Sequence, residues 1–236
     1  MMTLNRILTA INNKWIRLLN VRVTMIFVFV CFNQLVQAAP IVILVNDANG
    51  QPLNQAIVEV IRPNSSINAM AVSSEPVVMD QVNKRFVPDL ILIQQGQSIV
   101  FPNSDNIRHH VYSFSKAKTF ELKLYAGEPK KPIKFETNGV VIVGCNIHDS
   151  MIGSIYVTKQ TAMMTDDKGK VRLDFDPMID KVSIWHPLQK NNPEQRKIID
   201  LKDYQLAEDK EAYIISIDIN EPLPRDTFRD TFRDTD

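Results

Sequence analysis

Gly139-Val-Val-Ile-Val-Gly-Cys145-Asn-Ile-His148-Asp-Ser-Met151 joins an apolar run to three soft donors, and its reading decides the fold. Val140-Val-Ile-Val143 has the length and β-branched content of a buried strand. Just past its end, a thiol, an imidazole and a thioether fall within seven residues. A short loop closing a strand can turn three such side chains toward a single point.

Working outward, short apolar or alternating runs recur between turn residues. Upstream lie Val77-Val-Met-Asp-Gln-Val82, Leu90-Ile-Leu-Ile93, Ser98-Ile-Val-Phe101 and Val111-Tyr-Ser-Phe114, punctuated by Gly96 and Pro102. Phe120, Leu122 and Leu124 then alternate with Glu121, Lys123 and Tyr125, the two-residue period of a strand with one buried face. Ile133-Lys-Phe135 and Gly153-Ser-Ile-Tyr-Val157 complete the block. About eight short strands, with no amphipathic helix of useful length, predict an all-β sandwich over residues 76–157.

The flanks have a different texture. Ile41-Val-Ile-Leu-Val45 and Ala56-Ile-Val-Glu-Val-Ile61 read as strands before the block, separated by the turn at Asn46 to Gly50. After it come the turn Thr165-Asp-Asp-Lys-Gly169, the alternating Val171-Arg-Leu-Asp-Phe175, and strands at Val182-Ser-Ile-Trp185 and Ala212 to Ile219. The Asp-x-x-Gly-x-Pro-Leu pattern from Asp47 to Leu53 resembles small transthyretin-like sandwiches, as does the segment from Thr165 to Trp185. Neither flank has enough strands to close a core alone. The expectation is one split transthyretin-like β-sandwich, residues 41–70 plus 158–220, with the central block inserted between its halves; tandem domains are the alternative.

The chemistry centres on Cys145, His148 and Met151, with one more ligand required from elsewhere. Only four histidines exist, and His109 and His110 stand together just before the strand at Val111. Two imidazoles, one thiolate and a weak axial thioether make the signature of a blue-copper centre. Adjacent strand residues face opposite ways, so one of the two histidines can reach the metal. His186, beside Trp185, has no partner at ligand spacing and reads as a packing or hydrogen-bonding residue. Met163 and Met164 read as surface or packing residues.

The run from Gly139 to Met151, with Cys-x2-His-x2-Met spacing and a glycine six positions before the cysteine, resembles the copper loop of cupredoxins such as amicyanin. Gly96-Gln-Ser-Ile-Val-Phe-Pro-Asn-Ser-Asp105 resembles the strand leading to the first ligand histidine. The wider block resembles plastocyanin-like proteins labelled methylamine utilisation proteins. That resemblance implies a Greek-key β-sandwich, one type 1 copper per chain, and ligands His109, Cys145, His148 and Met151. His110 occupies the position of an asparagine that normally bonds across to the cysteine loop and steadies the ligands, so it is expected to take that role or to be the alternative ligand.

Residues 1–38 carry Arg6, Lys14, Arg17 and Arg22 without an acid; the rest of the chain holds 23 basic against 27 acidic residues. That acidic balance speaks against a nucleic-acid surface. The basic start, the apolar run from Val23 to Phe32 and the Val36-x-Ala38 pair read as a cleaved signal peptide, giving a periplasmic product with no membrane span. Cys31 falls inside that segment, leaving Cys145 as the one thiol. The repeat from Arg225 to Asp236, within a tail taken as 221–236, reads as disordered. No nucleophile with a paired base is visible, so the expectation is a one-electron carrier rather than an enzyme. Its partners would be transient redox proteins of cytochrome or dehydrogenase type, with Ile147, Met151 and Ile152 framing an apolar docking surface. The alternative is a periplasmic copper-binding or delivery protein.

Overall fold

The computed structural model describes residues 40–62, 73–129, 131–173, 179, 181–190, 192–204 and 212–222. The expected signal peptide at 1–38 lies outside these residues, as does the tail from 223 onward. Among the described residues the chain is all-β, and the only helix is one 3-10 turn, Leu201–Asp203.

Four sheets stack with three apolar layers between them. In the first sheet, β1 (Ile41–Asn46) lies between β14 (Lys170–Leu173), which runs antiparallel to it, and β17 (Tyr213–Ser216), which runs parallel. The second sheet has the order β13 (Ala162–Met164), β2 (Ile57–Ile61), β15 (Lys181–Trp185) and β16 (Lys197–Asp200), antiparallel throughout. Both sheets therefore pair strands that precede the central block with strands that follow it. Ile43 and Val45 from one face Val58, Val60, Val182 and Ile184 from the other in a single buried layer. The turn leading into β14 fits only glycine at position 169. Gly169 has φ +67°, and a Cβ there would stand 2.4 Å from the Val45 carbonyl oxygen.

The third sheet carries the central block. Its order is β6 (Leu90–Gln94), β12 (His148–Thr158), β11 (Gly139–Cys145), β8 (His109–Ser113) and β9 (Phe120–Tyr125), with only the β6–β12 pair parallel. The fourth sheet is short: β10 (Ile133–Lys134), β7 (Ser98–Val100) and β3 (Val77–Val78). Ile91, Val111, Val141, Val143 and Ile155 of the third sheet meet Met79, Ile99, Phe101 and Phe135 in the second apolar layer. Beside it, β4 (Asp80–Gln81) and β5 (Phe86–Val87) form a separate hairpin.

The remaining layer joins the second and third sheets. Ile57 and Trp185 pack against Leu90, Val140 and Tyr156. Set into this contact is a polar cluster around Glu59, whose side chain is 1% exposed. Tyr156 donates its hydroxyl to Glu59 Oε2 at 2.8 Å, Arg196 pairs with the same oxygen at 2.5 Å, and Thr158 donates to Oε1. The Arg196 guanidinium also lies 4.9 Å from the centre of the Tyr156 ring. A carboxylate this deep is tolerable only because each oxygen is bonded.

Several segments depart from the sequence expectation. The strand expected from Val77 to Val82 breaks at Met79, because β3 joins the fourth sheet while β4 joins the separate hairpin. The strand expected at Gly153 begins at His148, since Cys145 pairs with His148 beyond the unpaired Asp149 to Met151. Strands β13 and β16 had no expectation attached; both are short edges of their sheet.

Candidate metal centre

Cys145 ends β11 and pairs with His148, which opens β12, so only Asn146 and Ile147 separate the two strands. The next pair is Gly144 with Ile152, which leaves Asp149 to Met151 as a bulge on β12. Bulges re-aim side chains. Here the outcome is that Met151 turns inward, 1% exposed, into the same apolar layer as Cys145. The expected loop is thus a tight hairpin with an irregular second strand.

Strand β8 alternates buried and half-buried residues, with His109, Val111 and Ser113 inward. His109 is 0% exposed, and its Nδ1 lies 3.5 Å from Cys145 Sγ. His148 Nδ1 approaches the same sulfur at 3.6 Å. One donor atom from each of the three residues lies within 4.8 Å of the others, and the two imidazole rings stand 5.1 Å apart. His110 is not part of this cluster: its Nε2 turns to the opposite face and meets Glu121 at 2.9 Å. The cross-link to the cysteine loop comes instead from the backbone, where Asn146 N–H donates to the His110 carbonyl at 3.1 Å.

Asp105 is the residue that sequence reasoning missed. Its Oδ2 lies 2.7 Å from His109 Nε2, four residues on. A carboxylate accepts, so Nε2 carries the proton and Nδ1 keeps its lone pair toward Cys145. Asp105 also accepts from the backbone N–H of Asn83 at 2.6 Å and of Lys84 at 2.9 Å. Burial opposes its ionisation, but the Lys84 N–H, the His109 ring and the Asn83 N–H outweigh it and hold the carboxyl below its ordinary value. A carboxylate at i−4 from a strand histidine was the available signal, hidden in a Ser-Asp-Asn run that reads as a turn.

His148 is half-buried and reaches the surface between Ile147 and Ile152, each 47% exposed. Met151, being buried, contributes nothing to that surface, contrary to the expectation. Burial, then the charges of His109 and Lys84, push the His148 imidazole below its usual value, against a smaller opposing effect of Asp105. The neutral ring is the form that ligates. On the inner side, burial pushes the Tyr125 phenol up to about 12, with the Cys145 and Asp80 charges adding to it; its hydroxyl donates to the Phe101 carbonyl at 2.6 Å.

His186 lies apart from the cluster. Leu188 N–H donates to its Nδ1 and its Nε2 faces the Asn54 carbonyl, both at 3.1 Å, so the neutral ring is fully bonded. Met164 packs in the layer between the second and third sheets, and Met163 is 41% exposed.

The clustered donors are a thiol and two imidazoles, and Met151 is buried in the same apolar layer as the thiol. Soft donors of this kind fit copper.

The solved structures to which the chain is similar are cupredoxins. A Cu-containing nitrite reductase (NirK) from Thermus scotoductus SA-01 matches 41% of this chain at 24% identity and TM-score 0.34, and the match spans only 25% of the reductase chain. A purple cupredoxin from Nitrosopumilus maritimus matches 36% of this chain and 100% of its own, at 19% identity and TM-score 0.31. Amicyanin from Paracoccus versutus matches 43% of this chain and 97% of its own, at 17% identity and TM-score 0.31. No family model matches the sequence, and no curated protein matches it.

Proposed function

We propose that the protein is an exported one-electron carrier that holds a single type 1 copper with His109, Cys145, His148 and Met151. The observation that carries this reading is the approach of two imidazole Nδ1 atoms, from separate strands, to one buried sulfur at 3.5 and 3.6 Å. Zinc also accepts two imidazoles and a thiolate, but the thioether in the same apolar layer favours copper. A bound copper supplies a one-electron couple between Cu(I) and Cu(II).

The chain's own residues do the rest. Asp105 fixes the His109 tautomer, the surrounding apolar layer excludes water from Cys145, and His148 offers the one ligand edge that a partner can approach. In the same reading, residues 41–70 and 158–220 form one split sandwich that holds the copper unit, and residues 1–38 direct export. Among the described residues no helix is long and apolar enough to cross a membrane.

The test is the visible spectrum of the purified protein loaded with Cu(II). An intense thiolate-to-copper band, lost in Cys145→Ser and kept in His186→Ala, supports the reading. Colourless protein that binds copper equally well as Cys145→Ser overturns it. A blue protein that exchanges electrons slowly with redox proteins yet releases copper readily would favour delivery over transfer.

A further inference from the structure

The hairpin joining β4 to β5 turns at Asn83 and Lys84, with Val82 and Arg85 closing it through paired backbone bonds of 2.9 and 3.1 Å. Both turn residues are left-handed, at φ 52° and 59°. Turns of this class favour asparagine first and glycine second, because a Cβ is strained there. The second position holds Lys84. A strained backbone kept under a replaceable lysine points to a use for its side chain.

That side chain stands beside the metal centre. Lys84 and Arg85 are exposed, pair with no carboxylate among the described residues, and line a groove of about 410 Å³ together with Asp89, His148 and Ile152. Asp105 bonds the turn amide of Lys84 and the ring of His109, so the basic turn is tied to the site. With Lys84 and Arg85 against Asp89, the groove lining carries net positive charge, opposite to the residues after 38, which hold more acids than bases. A local charge reversed against the net charge, at the one ligand edge open to solvent, selects and orients a partner rather than aiding solubility.

We infer that this groove docks an acidic protein, whose carboxylates meet Lys84 and Arg85 while an apolar spot covers Ile147 and Ile152 around His148. That the partner exchanges electrons rests on the copper reading above; the docking itself does not. The test uses the isotope-labelled protein, both metal-free and loaded with reduced copper, titrated with cytochrome b5 as an acidic probe and cytochrome c as a basic one. Backbone amide signals of residues 82–89 and 147–152 are expected to shift with the acidic probe only, and high salt is expected to abolish the shifts. The double charge reversal Lys84→Glu/Arg85→Glu is expected to weaken binding about tenfold or more. Lys84→Gly suits the turn, so it weakens binding while leaving the melting temperature unchanged or raised.

Shifts that map elsewhere, equal responses to both probes, or indifference to the double variant overturn the inference. So does hexacyanoferrate binding in the groove without cytochrome docking, which marks a small-anion pocket. Docking shifts without a thiolate-to-copper band refute the copper reading alone, and the band without shifts refutes the docking alone.

Discussion

Asp105 separates the geometry of the site from its donors, because it touches His109 and two backbone amides but not the sulfur. Asp105→Ala is expected to lower copper affinity by about 10- to 100-fold in a competition titration. It should also cost about 1–3 kcal/mol of stability, from the orphaned amides. The carboxyl is held below its ordinary value, so its contribution is complete above that value and fades as acid protonates it in the fold. Asp105→Asn flattens that acid limb in melts recorded below about pH 5. His186 acts in the same direction, at higher pH. Burial pushes it below 6.5, so the unfolded chain takes up protons first, and stability falls as pH drops through 6.5. His186→Gln removes this step, which thermal melts from about pH 7 to pH 5 would register. At this scale the soft donors were legible, since their spacing brings them to one strand end. Asp105 was not, because its partners at Asn83 and Lys84 arrive only when a separate hairpin folds against it.

At the scale of single elements, backbone freedom decides what sequence can stand. Gly169→Ala puts a Cβ against the Val45 carbonyl at positive φ, and is expected to cost about 1–2 kcal/mol or more in chemical denaturation. The alternation was readable from Phe120 to Lys123 because one face is wet and the other dry. It breaks at the strand's end, where the register with β8 shifts, Leu124 is 54% exposed and Tyr125 turns inward against the expectation. The run from Gly153 to Thr158 is buried on both faces, so its residue types alone did not say where it begins. His148 and Met151 look like loop residues, because polar Asp149 and Ser150 sit between them. Only the cross-strand ladder makes them part of β12. The edge strand Lys197–Asp200 leaves Ile198 65% exposed, and nothing in its composition marks it as a strand.

For the whole molecule, the contact between the second and third sheets determines whether the layers unfold together. Arg196→Ala leaves Glu59 buried and unpaired, a change expected to cost about 3–5 kcal/mol. Glu59→Gln added to it should recover part of the loss, which a double-mutant cycle measures. Trp15 lies in the segment read as a signal peptide, so fluorescence of a processed chain reports on Trp185 in that contact. Its melting curve is expected to coincide with loss of the thiolate-to-copper band, since β12 lines both the layer of Trp185 and the layer of Cys145. The all-β class followed directly from strand-length runs between turn residues. The order of stacking did not, because periodicity tells which side chains avoid water and not which neighbouring sheet covers them. The doubly walled stretch of β12 carries a further consequence. Ile155 answers to one layer and Tyr156 to the other, so no position there can drift without repacking one of two neighbours. Over evolutionary time that central strand should change slowest, while the outer edges vary freely around it.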